Sequence, residues 1–449
     1  MYQLTFSDFQ NLGISTNSLN INSIRLFGNG GGMLPRLNSS FRHADLQENA
    51  IKIIDNNNNG VFEDGDFVLF YGQSTDEWTP YDNYIGKFNY HKNLYDDYNY
   101  YFLTINNEGI AKRVVNYVSS LKNVESKSWS FFYDMICHEE DLVNFIQSGE
   151  QWYGEEFDAD LTQSLSFNFP NSLTGTAFVK SKVAARAASS PSFSFSNNGN
   201  QFMEVSLGAV SYGYADDFAT LNSVEGQIVP NSDNFDIDIT FNRNASNYYG
   251  WLNSVEVCIM RELIFTGGQM NFRRTENGSP TLLHAVMSNV TNNDIVWNIT
   301  DPTTVKQHPL FLSPDNTNYM FEYDMLGSFS DEKFIVFDGT QYKTPNLLGS
   351  VSNQNLHGET DFEMLIVSHP NFTSAAQKLS DFHFNKDGSK CKIVTPQEVF
   401  NEFSSGKQDI SSIRDYCKYL YDLPNTTFKY LLIIGDASYD PKDRVANNT

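Results

Sequence analysis

Two uninterrupted apolar runs near the carboxyl end, Met364-Leu365-Ile366-Val367 and Tyr430-Leu431-Leu432-Ile433-Ile434, limit this chain's fold more than any other feature. A run that is apolar at every position reads as a parallel strand covered on both faces. Lys390 to Val394 reads as a further strand between them. Phe372, Ala375, Ala376, Leu379 and Phe382 recur at helical spacing after the first run, with Pro370 suited to the first helical turn and Asp387-Gly388 to the end. Pro396 to Phe403 forms a short helix, and Ile410, Ile413, Cys417, Leu420 and Tyr421 give another helical face. The order strand, helix, strand, helix, strand defines a doubly wound α/β domain, whose ligands bind outside the carboxyl ends of the strands. Such a sheet normally has about five strands. Residues 361–449 hold fewer, and Thr449 falls in a polar loop after the last of them, so an incomplete α/β domain is expected.

Upstream the periodicity changes. Leu165-Phe167-Phe169, Phe193-Phe195 and Phe235-Ile237-Ile239-Phe241 alternate apolar and polar residues, with turns such as Asn197-Asn198-Gly199-Asn200 between them. Residues 116–360 are therefore expected to form an antiparallel β-sandwich region. Their aromatic alternation points to a buried sheet face rather than a carbohydrate platform. Residues 1–115 read as a small mixed α+β domain, with Ser7 or Asp8 capping a first helix, a strand from Ile21 to Phe27, and a closing strand near Tyr100 to Ile105. A length of 449 residues suits such a multidomain arrangement.

Charge and cysteine usage exclude some functions. The net charge of −24 repels nucleic-acid phosphate, and no basic stripe offsets it. Cys137, Cys258, Cys391 and Cys417 form no CxxC pair, so no zinc site is expected, and they read as buried free thiols. No apolar run is long enough to cross a membrane as a helix. The start Tyr2-Gln3-Leu4-Thr5-Phe6 reads as folded structure rather than a signal peptide, which leaves a cytoplasmic location or an internal start.

Few motifs carry chemistry. Asp55, Asn57, Asn59, Glu63 and Asp66 stand at positions 1, 3, 5, 9 and 12 of a loop with Gly60 at position 6 and the carbonyl of Val61 at 7. That is Ca²⁺-loop spacing, although Asp66 replaces the usual Glu and strands flank the loop. The bland reading is an Asx-closed hairpin turn. Gly28-Asn29-Gly30-Gly31-Gly32 lacks the Lys-Ser/Thr of a phosphate loop, and Met33 occupies the last Gly position of a dinucleotide fingerprint. Cys137-His138 adjoin in sequence, which rarely gives nucleophile and base the right geometry. Cys391 and Cys417 lie away from the carboxyl strand ends. His369 and Asp436 each follow a strand's carboxyl end; His369 suits helix entry, and Asp436 is equally suited to capping its loop and to lining an active-site rim.

The stretch Tyr430 to Asp440 (YLLIIGDASYD), after Asn401-Glu402-Phe403-Ser404-Ser405-Gly406, resembles the start of a gingipain-like cysteine peptidase domain, a caspase-like α/β fold. Leu26 to Pro35, Phe67 to Gln73, Trp152 to Asp158, Val183 to Arg186, Gly250-Trp251-Leu252, Trp297 to Pro302 and Asn353 to His357 resemble the surface sortases of type IX secretion within that family. The resemblance implies a cysteine endopeptidase that removes the C-terminal sorting domain from secreted cargo and passes the acyl group to an amine on a surface lipopolysaccharide. It also implies export by a signal peptide that this chain does not show, a place at the cell surface or outer membrane, and an outer-membrane β-barrel partner. The family's catalytic His and Cys follow Gly-His and Ala-Cys segments on later strands; no position here matches them, so no catalytic residue is expected in this chain. His369, His383, Cys391 and Cys417 are not substitutes. The alternative is a non-enzymatic β-rich adhesion or docking module.

Overall fold

The computed structural model describes residues 1–81, 84–121, 126–173 and 175–446; Thr449 lies outside them. The chain is multidomain and strand-rich, with few helices.

The strand Tyr2–Thr5 runs into a helix at Phe6–Asn11. Its N-cap is Thr5 rather than the expected Ser7 or Asp8. Asp8 instead closes a capping box: its backbone N–H donates to Thr5 Oγ1 at 3.3 Å, and its Oδ2 accepts from the Thr5 N–H at 2.7 Å. Two three-stranded antiparallel sheets follow. One orders Tyr2–Thr5, Phe67–Phe70 and Lys52–Ile54; the other orders Glu48–Asn49, Ile24–Phe27 and Phe102–Ile105. Leu4, Phe9, Ile24, Leu26, Phe62 and Val68 fill the space between them.

The alternating aromatics of the middle region face inward as expected. Phe167, Phe193, Phe195, Ile237, Ile239 and Phe241 come from the sheet of Thr162–Asn168, Asn234–Asn242, Ser192–Asn197 and Asn200–Ser206. Val179, Val183, Val255 and Val257 meet them from the opposing sheet of Phe131–His138, Tyr249–Glu262, Ala177–Arg186 and Thr220–Ile228. Gly250 marks the tightest point: a Cβ there would stand 2.6 Å from Phe193 Cζ. Truncating such a buried Phe to Ala typically costs about 3–5 kcal/mol.

A separate core, with Trp129, Phe272, Phe321, Tyr323 and Phe334, belongs to a second sandwich. Its sheets use Val115–Asn116 and Ser126–Trp129 from before the first sandwich and strands between Gln269 and Phe337 from after it. The first sandwich is therefore an insertion in the second. Val115–Asn116 and Ser126–Trp129 join by parallel pairing, whereas the strands between Gln269 and Phe337 pair antiparallel with one another.

The carboxyl-terminal segment has the expected alternation of strands and helices. Met364–Ser368 is the central strand, with Cys391–Val394 and Tyr430–Ile434 parallel on either side. The helix Thr373–Asp387 ends at Gly388, whose φ of +76° suits a residue without a Cβ. The helices Pro396–Phe403 and Ser411–Asp422 pack Val399, Phe403, Tyr416 and Leu420 against Leu365, Val367 and Val394. The expectation that all strands are buried fails for the last one. Tyr430, Leu431 and Ile433 are exposed, because this strand is the edge of the described sheet and no described element covers its outer face. Phe372, Phe382 and Phe384 are exposed around the same helix, of which only Ala376 is buried.

The α/β segment is fixed to the amino-terminal domain through the loop after Phe403. Lys407 is 4% exposed and donates to the carbonyls of Gly30, Gly31 and Gly32 at 2.9, 2.9 and 2.7 Å. Gly30 and Gly31 have φ of +54° and +63°, so a side chain there would be strained. Asp409 accepts from the Leu34 N–H at 2.7 Å, and Ser405 Oγ accepts from the Asn29 N–H at 3.0 Å. Arg42 pairs with Asp415 at 2.9 Å. The glycine-rich loop that lacks phosphate chemistry is thus a carbonyl receptor for a lysine.

Candidate functional site

In a parallel sheet the carboxyl ends of the strands carry the chemistry. Ser368 and Ile434 are in register, and the next residue, His369, donates its N–H to the Ile434 carbonyl at 2.9 Å. His369 Nδ1 accepts from the Asn371 N–H at 3.2 Å, so the imidazole caps the short 3-10 turn Pro370–Phe372. A Cβ on Gly435 would lie 3.6 Å from His369 Cβ, which brings the two strand ends close together. Asp436 follows, exposed, with Oδ1 accepting from the Ala437 N–H at 2.8 Å. Asp436 thus orders its loop, one residue beyond the Gly435 that approaches His369.

Beyond Asp436 the chain is held by the middle region. Asp440 is 1% exposed and accepts from Arg444 Nη1 at 3.0 Å and from the Val445 N–H at 2.9 Å. Arg444 Nη2 donates to Asp141 at 2.7 Å, and Lys92 pairs with the same Asp141 oxygen at 3.0 Å. The Arg444 guanidinium lies 4.7 Å from the Trp152 ring centre, and Trp152 stacks on Tyr439 at 6.0 Å with an interplanar angle of 11°. Asp141 and Trp152 belong to one irregular arm, residues 139–153, closed by a bridge between Val143 and Tyr153. Sequence reading gave no role of its own to Asp141, Trp152, Arg444 or Lys407, because a charged or aromatic loop residue carries no sign of its distant partner.

The four cysteines are free thiols. Burial, then the nearby Glu139 and Glu256, pushes the Cys137 thiol up. Burial pushes Cys258 up to about 12 and Cys417 to about 11. An attacking thiol needs the opposite shift. His138 does not turn to Cys137 but bonds Glu155 at 2.6 Å. Cys391 opens its strand, at the end away from the rim. His383 lies on the helix Thr373–Asp387, 3.9 Å from Asp387.

The acidic loop closes on itself. Asp55 accepts from the Asn59 and Gly60 N–H groups at 3.3 and 2.8 Å, and Asp66 accepts from those of Asn56 and Glu63, each at 3.0 Å. Asn57 and Asn59 accept from the backbone and direct their amide nitrogens to Glu63, and Asn59 Oδ1 takes the Val61 N–H at 2.7 Å. Among the described residues no three His, Cys, Asp or Glu side chains converge as a metal cluster. A cation in this loop would require the Asn57 and Asn59 amides to turn over.

Residues 357–449, which hold this parallel sheet, match the family model of peptidase family C25. The gingipain-like resemblance read from the sequence is met there. The chain as a whole is similar to the crystal structure of dimeric latent PorU from Porphyromonas gingivalis, with a TM-score of 0.81 and 23% identity over 99% of this chain. It covers 41% of the PorU chain, and at this identity the likeness shows the fold. Two looser matches carry no argument. They are a CBM36-1 domain of a xylanase from the hindgut metagenome of Trinervitermes trinervoides (TM-score 0.19, 8% identity, 28% of this chain and 95% of that one) and a Paenibacillus cycloisomaltooligosaccharide glucanotransferase (0.15, 7%, 50% and 47%). No curated protein matches the sequence. Among the described residues no helix is long and apolar enough to cross a membrane.

Proposed function

We propose that this chain is the amino-terminal and docking part of a gingipain-like cysteine endopeptidase that works as a surface sortase. In this reading the complete enzyme removes the C-terminal sorting domain from type IX-secreted cargo. It passes the acyl group to an amine on a surface lipopolysaccharide, at the outer membrane beside a β-barrel partner. The observation that carries the reading is the PorU-like fold along 99% of the chain, together with the C25 match of residues 357–449.

The chemistry would be nucleophilic catalysis. A thiolate attacks the scissile carbonyl, an imidazole moves the proton, and backbone N–H groups hold the oxyanion. The raised thiols of Cys137, Cys258 and Cys417 suit none of these steps. In this reading the nucleophile and its histidine lie outside the 449 residues, while His369 and Asp436 belong to the floor of the site. A separate proposal places a calcium ion at Asp55, Asn57, Asn59, Val61, Glu63 and Asp66 as a structural tie.

The test is a peptidyl thiol-reactive probe, applied to this chain and to the protein encoded by the continuous reading frame. The longer protein is expected to take the label and to release a cargo's C-terminal domain, and this chain to do neither. Labelling of Cys391 or Cys417 here, with turnover, would overturn the assignment of the nucleophile. An unreactive longer protein would overturn the peptidase reading and leave a β-rich adhesion or docking module.

A further inference from the structure

The loop after the last strand of the α/β sheet is tied in several places: Asp436 Oδ1 accepts from the Ala437 N–H, Gln408 Nε2 donates to the Pro441 carbonyl, and Lys442 pairs with Asp97. After Asp436 the chain passes through Ala437 and Ser438, both exposed, to the buried Asp440. Beyond these ties, Arg444 and Tyr439 reach across to the 139–153 arm. Arg444 bridges two carboxylates, with Nη1 on Asp440 and Nη2 on Asp141. Its guanidinium also covers the face of Trp152, whose ring stacks on that of Tyr439. Lys92 supports the far side, bonding the Glu139 carbonyl at 3.0 Å and the Asp141 carboxylate at 3.0 Å. Side-chain exposure is 14% for Arg444 and 10% for Asp141, so water screens this pairing less than an exposed one. A planar guanidinium held on two carboxylates and an aromatic face has a defined orientation, which a lysine would not reproduce.

We infer that the 139–153 arm is a positioning element of the peptidase rim: Asp141 sets Arg444, and Arg444 with Asp440 fixes the loop Asp436–Tyr439 beside His369. This rests on the peptidase reading and goes beyond it, because it gives a part of the β-rich middle region a role in the shape of the site. In this inference Asp141 and Arg444 act through the loop, as positioning residues. The arm thus bears on the loop at the carboxyl ends of the strands, where a doubly wound sheet binds its ligand. Small displacements there are costly, since a misplacement of about 1 Å can lower turnover on the order of 100-fold.

The experiment uses Asp141→Asn, Arg444→Gln and the conservative Asp141→Glu. In the full-length protein, kcat and KM are measured per probe-titrated site, so that loss of folded protein does not count as loss of rate. Expected is a fall in kcat of about 10–100-fold for Asp141→Asn and Arg444→Gln, with partial recovery in Asp141→Glu. In the 449-residue chain, amide exchange across residues 436–446 is expected to speed up by about tenfold or more in the same two variants, with the sheet strands unchanged. Unchanged exchange would overturn the tie itself. Faster exchange with unchanged kcat and KM would overturn the positioning role. A wild-type full-length protein with no turnover would instead mark the failure of the peptidase reading, and the exchange data would still judge the tie.

Discussion

The ammonium of Lys407 donates a 2.7 Å hydrogen bond to the carbonyl of Gly32, and through it the α/β segment is fastened to the amino-terminal domain. Burial lowers the Lys407 pKa from its ordinary 10.5 to about 8, against the opposing pull of Asp409, Glu77 and Asp96. Between those values the unfolded chain binds more protons than the folded one, so stability rises with pH across that window. Lys407→Met should remove this slope and, by leaving three carbonyls without a donor, lower stability at pH 7 by about 2–3 kcal/mol. Urea midpoints at pH 7.5 and 9.5 read both effects; an identical slope in the variant would refute the assignment.

His138 and Glu155 form a 2.6 Å pair that raises the imidazole pKa above its ordinary 6.5, chiefly through that hydrogen bond. A raised folded value means the pair's contribution is complete below about pH 6.5 and is lost as pH rises through the folded pKa. Proton NMR should therefore find His138 titrating above a free histidine. Glu155→Gln should bring it down; a His138 that titrates equally in both proteins contradicts the pairing.

Calcium at the loop Asp55 to Asp66 is expected to bind weakly, with a dissociation constant on the order of 10⁻⁴–10⁻³ M, because few of its ligands are charged. Calorimetry should show heat that disappears in Asp66→Asn. No heat at millimolar calcium, and no change in melting with a chelator, discards the site.

Leu431 and Ile433 lie exposed on the edge strand Tyr430–Ile434, an open template for pairing with another chain. Excised residues 361–449 should be poorly soluble. In the whole chain, Leu431→Lys with Ile433→Lys should reduce concentration-dependent self-association seen by light scattering, leaving far-UV circular dichroism unchanged. A monomeric, cooperatively melting 361–449 fragment would contradict this picture.

The α/β order was legible because apolar runs and helical spacing follow directly from how strands and helices bury their faces. Phe193 and Phe241 announced a sandwich core by alternation alone. Other features had no local signature. Nothing in Leu431 or Ile433 tells whether a covering element is at hand. Lys407 and Gly32 are separated by 375 positions, and Arg444 and Asp141 by 303, so each pairing exists only once the fold has formed. Asp436 could be placed at the rim from strand direction, but the arm that holds its loop could not. Nor could sequence separate one sandwich from two, since strands of either alternate in the same way.

The inserted sandwich leaves its host where it entered: Phe131 pairs with Glu262, and the Leu263 N–H bonds the Ser130 carbonyl at 2.8 Å. This connectivity sets a schedule for synthesis. Val115–Asn116 must wait for Lys306–His308, and Ser126–Trp129 for Thr281–Met287. At about 5–20 residues per second, that wait is on the order of ten seconds or more. The guest can close within the interval, as soon as Glu262 is made, and it then holds the two halves of its host side by side until the later strands emerge.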